Sequence, residues 1–397
     1  MRIAFTGDIL SYPSQDKIIK KLGSNKGSNK EYIPYFERVS PLFKDCDYVV
    51  GSLETTCSGA KLGFTRDCSS FNTPESILNA LKYCGFDLMT TANNHCLDRG
   101  LQGLNNTIDN LINAGLDYTG TFKNNNSKPF LIKKICGVKV AFVAYTYGTN
   151  SENNGCVLSR ENQWRVNLFR RQIVYKRSWY KPLAKSFLSL FLGKKGSHGG
   201  IQQDCAPVNE IENTLNDNYI NAFKSAIFNA KKEADLVFCL LHIGGQFNAI
   251  PGQYTKDIVQ LASDCGADAI VCNHSHTVQK IDFNNTGKVF AWALGNFSFT
   301  PNEGYYVANV YADYSIVLYC DICENSKQIK DVSFSVCKSV ITSKGVQVVP
   351  VYDLYQELND EEKVVIAGDL HKVVEKVAGH TIDEKLEILS EYRVKGK

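Results

Sequence analysis

The sequence predicts an α/β protein, with an antiparallel strand region and a helical tail towards its C-terminus. Three observations carry this. Short apolar segments alternate with stretches whose apolar residues recur at helical spacing. The conspicuous polar residues fall where those apolar segments end, as they do in open α/β sheets. Beyond Phe299 the pattern changes to strand-like alternation. With 397 residues, 44% hydrophobic and 21% charged, the chain has the composition of one large globular domain or two. No apolar run approaches the ~20 residues of a membrane span. The amino terminus enters a strand at once, with no signal-like run. Together with fourteen cysteines this predicts a cytoplasmic protein with free, mostly buried thiols. Cys320 and Cys323 lack a second pair at zinc-ribbon spacing and read as strand residues.

Residues 2–6 form the first expected strand, ended by Gly7-Asp8. A helical stretch covers 34–43. Residues 47–53 are the second strand and deliver Glu54. A helix spans 75–83, and residues 86–90 are the third strand. Leu101, Leu104, Ile108, Leu111 and Ile112 mark the helix after it. Between strand and helix lies a turn holding Asn93, Asn94, His95 and Asp98, and this is the stretch around which the chain is organised. Residues 130–132 and 138–145 form a hairpin around Cys136-Gly137, and 148–155 a loop. A helix covers 219–232, then a strand at 234–241 ends at His242. A helix at 255–265 leads to a strand at 267–272, which ends at Asn273-His274-Ser275-His276. A further strand at 289–293 ends at Leu294-Gly295-Asn296-Phe297. Residues 305–319 and 332–350 read as antiparallel strands and 353–397 as a charged helical tail. The expected organisation is a main domain over 1–350, with a basic insertion at 160–200, and a C-terminal tail over 351–397.

The net charge of +3 conceals an asymmetry. Between residues 160 and 195 stand ten Lys or Arg against one acid, Glu161, leaving 34 basic and 40 acidic residues elsewhere. Basicity confined to one segment argues against a specific nucleic-acid surface. The segment interleaves its cations with Trp179, Tyr175, Phe187 and Leu190, and residues 185–192 fit an amphipathic helix. It reads either as a helical lid with solvated cations or as a contact, over 165–195, with an anionic polymer, a phosphorylated lipid or a membrane surface. The second reading adds peripheral membrane placement to the cytoplasmic expectation.

The strand ends collect Asp8, Glu54, Asn94 with His95, His242, His274 and His276. Any one histidine at a strand end is ordinarily a satisfied polar residue; five chemically matched strand ends are not a coincidence of turns. Imidazole, carboxylate and an Asn carbonyl suit a divalent ion such as Mn²⁺, Zn²⁺, Fe²⁺ or Mg²⁺. Two such ions about 3.5–4 Å apart can clamp the oxygens of an in-line phosphoryl displacement. Glu54 is suited to bridge them. His95 can donate a proton to a phosphoryl oxygen or leaving group, with Asp98 orienting its ring.

The order Gly7-Asp8, Leu53-Glu54, Ala92-Asn93-Asn94-His95-x-x-Asp98-x-Gly100, His242-x-Gly244, His274-x-His276 and Leu294-Gly295-Asn296-Phe297 resembles the CapA family over about residues 1–350. These are capsule and poly-γ-glutamate synthesis proteins on a calcineurin-like metallophosphoesterase fold. The resemblance implies a four-layer α/β sandwich with the metal site at its top. It implies metal ligation by Asp8, Glu54, Asn94, His242, His274 and His276, with His95 as the acid. Leu10 stands where metallophosphoesterases carry a further histidine, a change that the CapA group shares. This implies one tightly held ion at Glu54, Asn94, His242 and His274, and a weaker one at Asp8, Glu54 and His276. Ile243 and Gln246 replace the Trp and Glu often found around the first lone histidine, and the membrane anchor of many members is not seen. Three functions fit: a metal-dependent phosphoesterase-type hydrolase acting on an anionic polymer or phosphorylated substrate, a non-catalytic subunit of a polymer synthesis or export assembly, and a cytosolic phosphatase of small metabolites.

Overall fold

The computed structural model describes residues 1–15, 17, 31–65, 70–172, 217–301, 310–343, 345–383 and 386–394. Their α/β architecture rests on two sheets. In the first, β1 (Arg2–Ile9), β2 (Tyr48–Leu53), β3 (Leu88–Thr90) and β4 (Asp117–Thr119) run parallel. Strands β12 (Tyr314–Cys323), β13 (Gln328–Thr342) and β14 (Gly345–Pro350) extend it antiparallel on the β1 side. In the second sheet, β6 (Val138–Thr146), β7 (Leu236–His242), β8 (Ala269–Asn273) and β10 (Val289–Ala291) are parallel neighbours in that order. Its edges are β5 (Leu131–Ile135) and β9 (Ile281–Phe283), both antiparallel. The β5–β6 hairpin turns on Cys136 and Gly137, both at positive φ, as a two-residue turn between twisted strands requires.

The strands are apolar on both faces because both faces are covered. Phe5, Val50, Leu88 and Leu318 of the first sheet meet Val140, Phe142, Phe238 and Val271 of the second in one core. The alternate residues of β1 and β2, such as Ala4 and Val49, pack outward on the segment Ile33–Phe43 and on α1 (Ser76–Tyr83). Those of β6 and β7, such as Val143 and Cys239, pack on α3 (Asp217–Glu233) and α4 (Gln253–Asp264). Helix α2 (Gly100–Asn113) follows β3 and buries Leu104, Ile108 and Leu111.

Two expectations change. The strand expected at 289–293 stops at Ala291, and the chain crosses to the other sheet, where β11 (Asn296–Ser298) pairs parallel with β1. Leu294 stays in the inter-sheet core, and Gly295 makes the bend at φ +80°, where a Cβ would stand 2.8 Å from Tyr314 O. The tail is helical only through α5 (Val351–Glu357) and α6 (Asp360–Ala378). Its later residues Tyr392–Arg393 form β15 against β13. Helix α6 starts on a reciprocal Asn359–Glu362 cap and buries Ile366, Leu370, Val373 and Val377 in the inter-sheet core. Finally, the amphipathic helix expected at 185–192 lies outside the described residues, as do 173–216. On the described flank, Arg165 donates to Asn105 Oδ1 (2.8 Å), and the buried Arg170 donates to Tyr147 O (3.1 Å). Two of the ten cations are therefore tied to the body of the protein. Among the described residues no helix is long and apolar enough to cross a membrane.

Candidate metal centre

Asp8 lies within β1, at the bulge where the strand changes register against β2 and β11. Its N–H donates to Gly295 O (2.9 Å), an approach possible because residue 7 is glycine: a Cβ there would stand 2.0 Å from the same oxygen. Ser52 Oγ donates to Asp8 Oδ1 (2.7 Å) and the His274 N–H to Oδ2 (2.8 Å). Glu54 follows β2 directly. Asn93 fixes the turn after β3, donating to Leu53 O (2.7 Å) and accepting from the His95 N–H (3.0 Å). That anchors Asn94 and His95 over the end of β2.

The second sheet supplies the histidines. His242 closes β7, with Nε2 2.8 Å from Asn94 Oδ1 and 3.4 Å from Glu54 Oε1. Its Nδ1 stands 3.6 Å from Asp8 Oδ1. His274 Nδ1 is 3.9 Å and His276 Nε2 3.8 Å from Glu54 Oε1, and His276 Nδ1 is 4.0 Å from Asp8 Oδ2. All six expected ligands are thus together. His274 and His276 have φ of +99° and +55°, conformations that cost non-glycine residues roughly 1–3 kcal/mol each and persist where surroundings enforce them. Here the bond from the His274 N–H to Asp8 is part of that enforcement.

The electrostatics are unbalanced. Burial, and then the Glu54 charge, push the Asp8 carboxyl up to about 7. Burial also raises Glu54, lowers His242 to about 4, holds His274 well below the ordinary imidazole value and lowers His276. Both Glu54 oxygens, both His274 ring nitrogens and His242 Nδ1 are buried without a hydrogen bond among the described residues. Buried polar atoms are almost always paired, so unpaired lone pairs converging on one point call for a bound group. One donor atom each from Glu54, His274 and His276 lie within 4.8 Å of one another, a buried group that can hold a divalent ion. The donor set of oxygens and imidazoles fits such an ion.

Beside this cluster, His95 Nδ1 is 2.6 Å from Asp98 Oδ2. Burial opposes protonation of His95, but the Asp98 charge and hydrogen bond outweigh it and raise its pKa. Asp98 is itself fixed by the Phe71 N–H (2.6 Å), and the Phe71 ring stands edge-on to His95. His95 Nε2 points away from Asp98, with Asn150 Nδ2 3.5 Å off.

Sequence reasoning passed over several of these neighbours. Tyr147 packs on His274 (ring centroids 4.6 Å apart) and Phe247 on His276 (5.7 Å). Asn150 carries φ +48° in what read as plain loop. Asn296 stood inside the noted Leu294–Phe297 run without a role. Leu10 is buried among Tyr12, Phe71, Phe247 and Phe299, and an isolated leucine in the sequence gave no sign of that cluster.

The PGA biosynthesis protein CapA of Bacillus subtilis (strain 168) is 26% identical over 299 residues, covering 75% of this chain and 62% of that protein. The capsule biosynthesis protein CapA of Bacillus anthracis is 24% identical over 303 residues, covering 75% and 60%. The chain therefore spans about three fifths of the length of these curated relatives. The family described as bacterial capsule synthesis protein PGA_cap matches residues 2–301, which include every ligand and acid named above. By that match over three quarters of its length, the chain belongs to the CapA family of bacterial capsule synthesis proteins.

Proposed function

We propose that the chain is a divalent-metal-dependent phosphoesterase-type hydrolase serving capsule or poly-γ-glutamate synthesis, on a metallophosphoesterase-type four-layer sandwich. The observation that carries this reading is the set of orphaned donors on Glu54, His242 and His274, facing one another from two sheets. The metal's part is Lewis-acid polarisation of a phosphoryl group. Glu54, Asn94, His242 and His274 would hold the tighter ion, and Asp8, Glu54 and His276 a weaker one. Mn²⁺, Zn²⁺, Fe²⁺ and Mg²⁺ all suit the donor types. His95 supplies a proton from Nε2 to the leaving oxygen, while Asp98 holds Nδ1 and stabilises the protonated ring. The substrate is an anionic polymer or a phosphorylated precursor of one, with residues 165–195 as its basic contact. The twelve cysteines that are free among the described residues support a reducing compartment and so a cytoplasmic placement.

Leu10 favours a second reading. Its burial in an apolar cluster leaves the weaker position without a fourth protein ligand, as in a subunit that keeps one ion and no catalysis. The test joins elemental analysis of the purified protein to a screen of phosphodiesters and phosphomonoesters. His242→Ala and His274→Ala should lower bound metal with the fold intact; unchanged metal in both sinks the centre. Metal bound without hydrolysis of any substrate favours the one-ion subunit.

A further inference from the structure

Asn296 enters the site by the crossing from β10 to β11, which sets it beside Asp8 in the parallel β1–β11 pairing. It is 1% exposed. Its amide nitrogen donates to His276 O (3.2 Å) and Ala312 O (2.9 Å). Two carbonyls on that side fix which way round the amide stands, because a carbonyl oxygen there would meet only acceptors. Oδ1 must then face His276 Nδ1, 2.8 Å away. An oxygen that only accepts requires a proton on Nδ1. A neutral ring carrying that proton has its lone pair on Nε2, the nitrogen 3.8 Å from Glu54 Oε1.

We propose that Asn296 is the positioning residue that selects the Nδ1–H tautomer of His276 and so presents Nε2 to the metal. This rests on the metal-centre reading, but the tautomer can be observed without any metal. Burial of the ring, which keeps it neutral, agrees with it. Ring-orienting partners of this kind typically contribute 10–100-fold in metal affinity.

The experiment uses the full chain, stripped with chelator and labelled with ¹⁵N-histidine. Long-range ¹H–¹⁵N correlation reads each ring's tautomer, and a His276→Gln spectrum identifies the His276 signals. The wild-type ring should carry its proton on Nδ1, and Asn296→Ala should lose that preference. Calorimetric titration with Mn²⁺ should show affinity for the weaker ion, the one His276 would hold, lower by about 10–100-fold in Asn296→Ala. A wild-type ring protonated on Nε2 overturns the proposal, and that measurement needs no variant to fold. So does wild-type affinity for that weaker ion in a folded Asn296→Ala. Failure of the wild type to bind Mn²⁺ overturns the metal centre instead, whatever the tautomer.

Discussion

His95 is held closely from one side, with Asn150 Nδ2 a longer 3.5 Å from Nε2 on the other. Asp98 occupies Nδ1 and is itself anchored by the Phe71 N–H, which leaves Nε2 for a substrate oxygen. A ring placed this way acts on the leaving group and not on the metal. His95→Ala should therefore keep its metal content and lose about 10²–10⁴-fold in hydrolysis. Asp98→Asn should lose activity in the same direction, because an amide can neither match the carboxylate's charge nor stabilise the protonated ring. Hydrolysis unchanged in both variants would remove His95 from the reaction. Leu10 gives the opposite lesson about position. Leu10→His buries an imidazole among Tyr12, Phe71, Phe247 and Phe299, at a cost of roughly 1–3 kcal/mol. We expect a lower midpoint in denaturant and no second tightly bound ion in a metal titration. A tight second ion in that variant would show that the side chain reaches the site after all.

At the scale of elements, the five strand ends were legible because chemistry and position coincide in the sequence: a run of apolar residues stops and a metal-compatible side chain follows. The crossing at residues 294–296 was not legible. Nothing in Val-Phe-Ala-Trp-Ala-Leu-Gly-Asn marks a change of sheet, since Leu294 remains in the same core as Val289 and Ala291. Strand β15 was hidden for a related reason, two residues being too short to show any period. The close approach of β1 to the crossing depends on Gly7. Gly7→Ala sets a Cβ against the Gly295 carbonyl, and backbone cannot step aside as a side chain can. We expect a loss of roughly 3 kcal/mol in chemical denaturation together with weaker metal binding. Gly148→Ala, where a Cβ meets open space, is the control and should change neither. Helix α6 makes a testable contact of its own. Lys376 Nζ donates to Thr277 Oγ1 (3.1 Å), the residue after His276, and burial lowers its pKa to about 8. Between pH 8 and the ordinary lysine value the unfolded chain binds a proton that the folded chain does not, so stability rises with pH across that window. The slope, reduced by the residue's partial exposure, should be about 1 kcal/mol per pH unit at most. Lys376→Met should lack the rise, and parallel curves for the two proteins would rule the linkage out.

The whole molecule closes on its candidate centre from two sides: Asp8, Glu54 and Asn94 stand on one sheet, His242, His274 and His276 on the other. Without an ion this end of the two sheets holds two fully buried carboxylates facing imidazoles that burial keeps neutral. Uncompensated charge of that kind destabilises a fold, and proteins keep it where a ligand needs it. The consequence is a pair of effects with opposite signs from one substitution. Glu54→Gln removes a buried charge whose oxygens have no hydrogen bond among the described residues. In chelator-stripped protein it should raise the unfolding free energy by on the order of 1–3 kcal/mol, and the thermal midpoint with it. In excess metal the comparison reverses. Wild type gains about 2.7 kcal/mol when free metal stands 100-fold above its dissociation constant. The variant, lacking the carboxylate that faces all three histidines, gains far less. Thermal melts of both proteins, stripped and with Mn²⁺, should therefore cross in rank order. A variant less stable than wild type in both conditions would mean that Glu54 is held by contacts of the fold itself, and that its orphaned oxygens are not waiting for a cation.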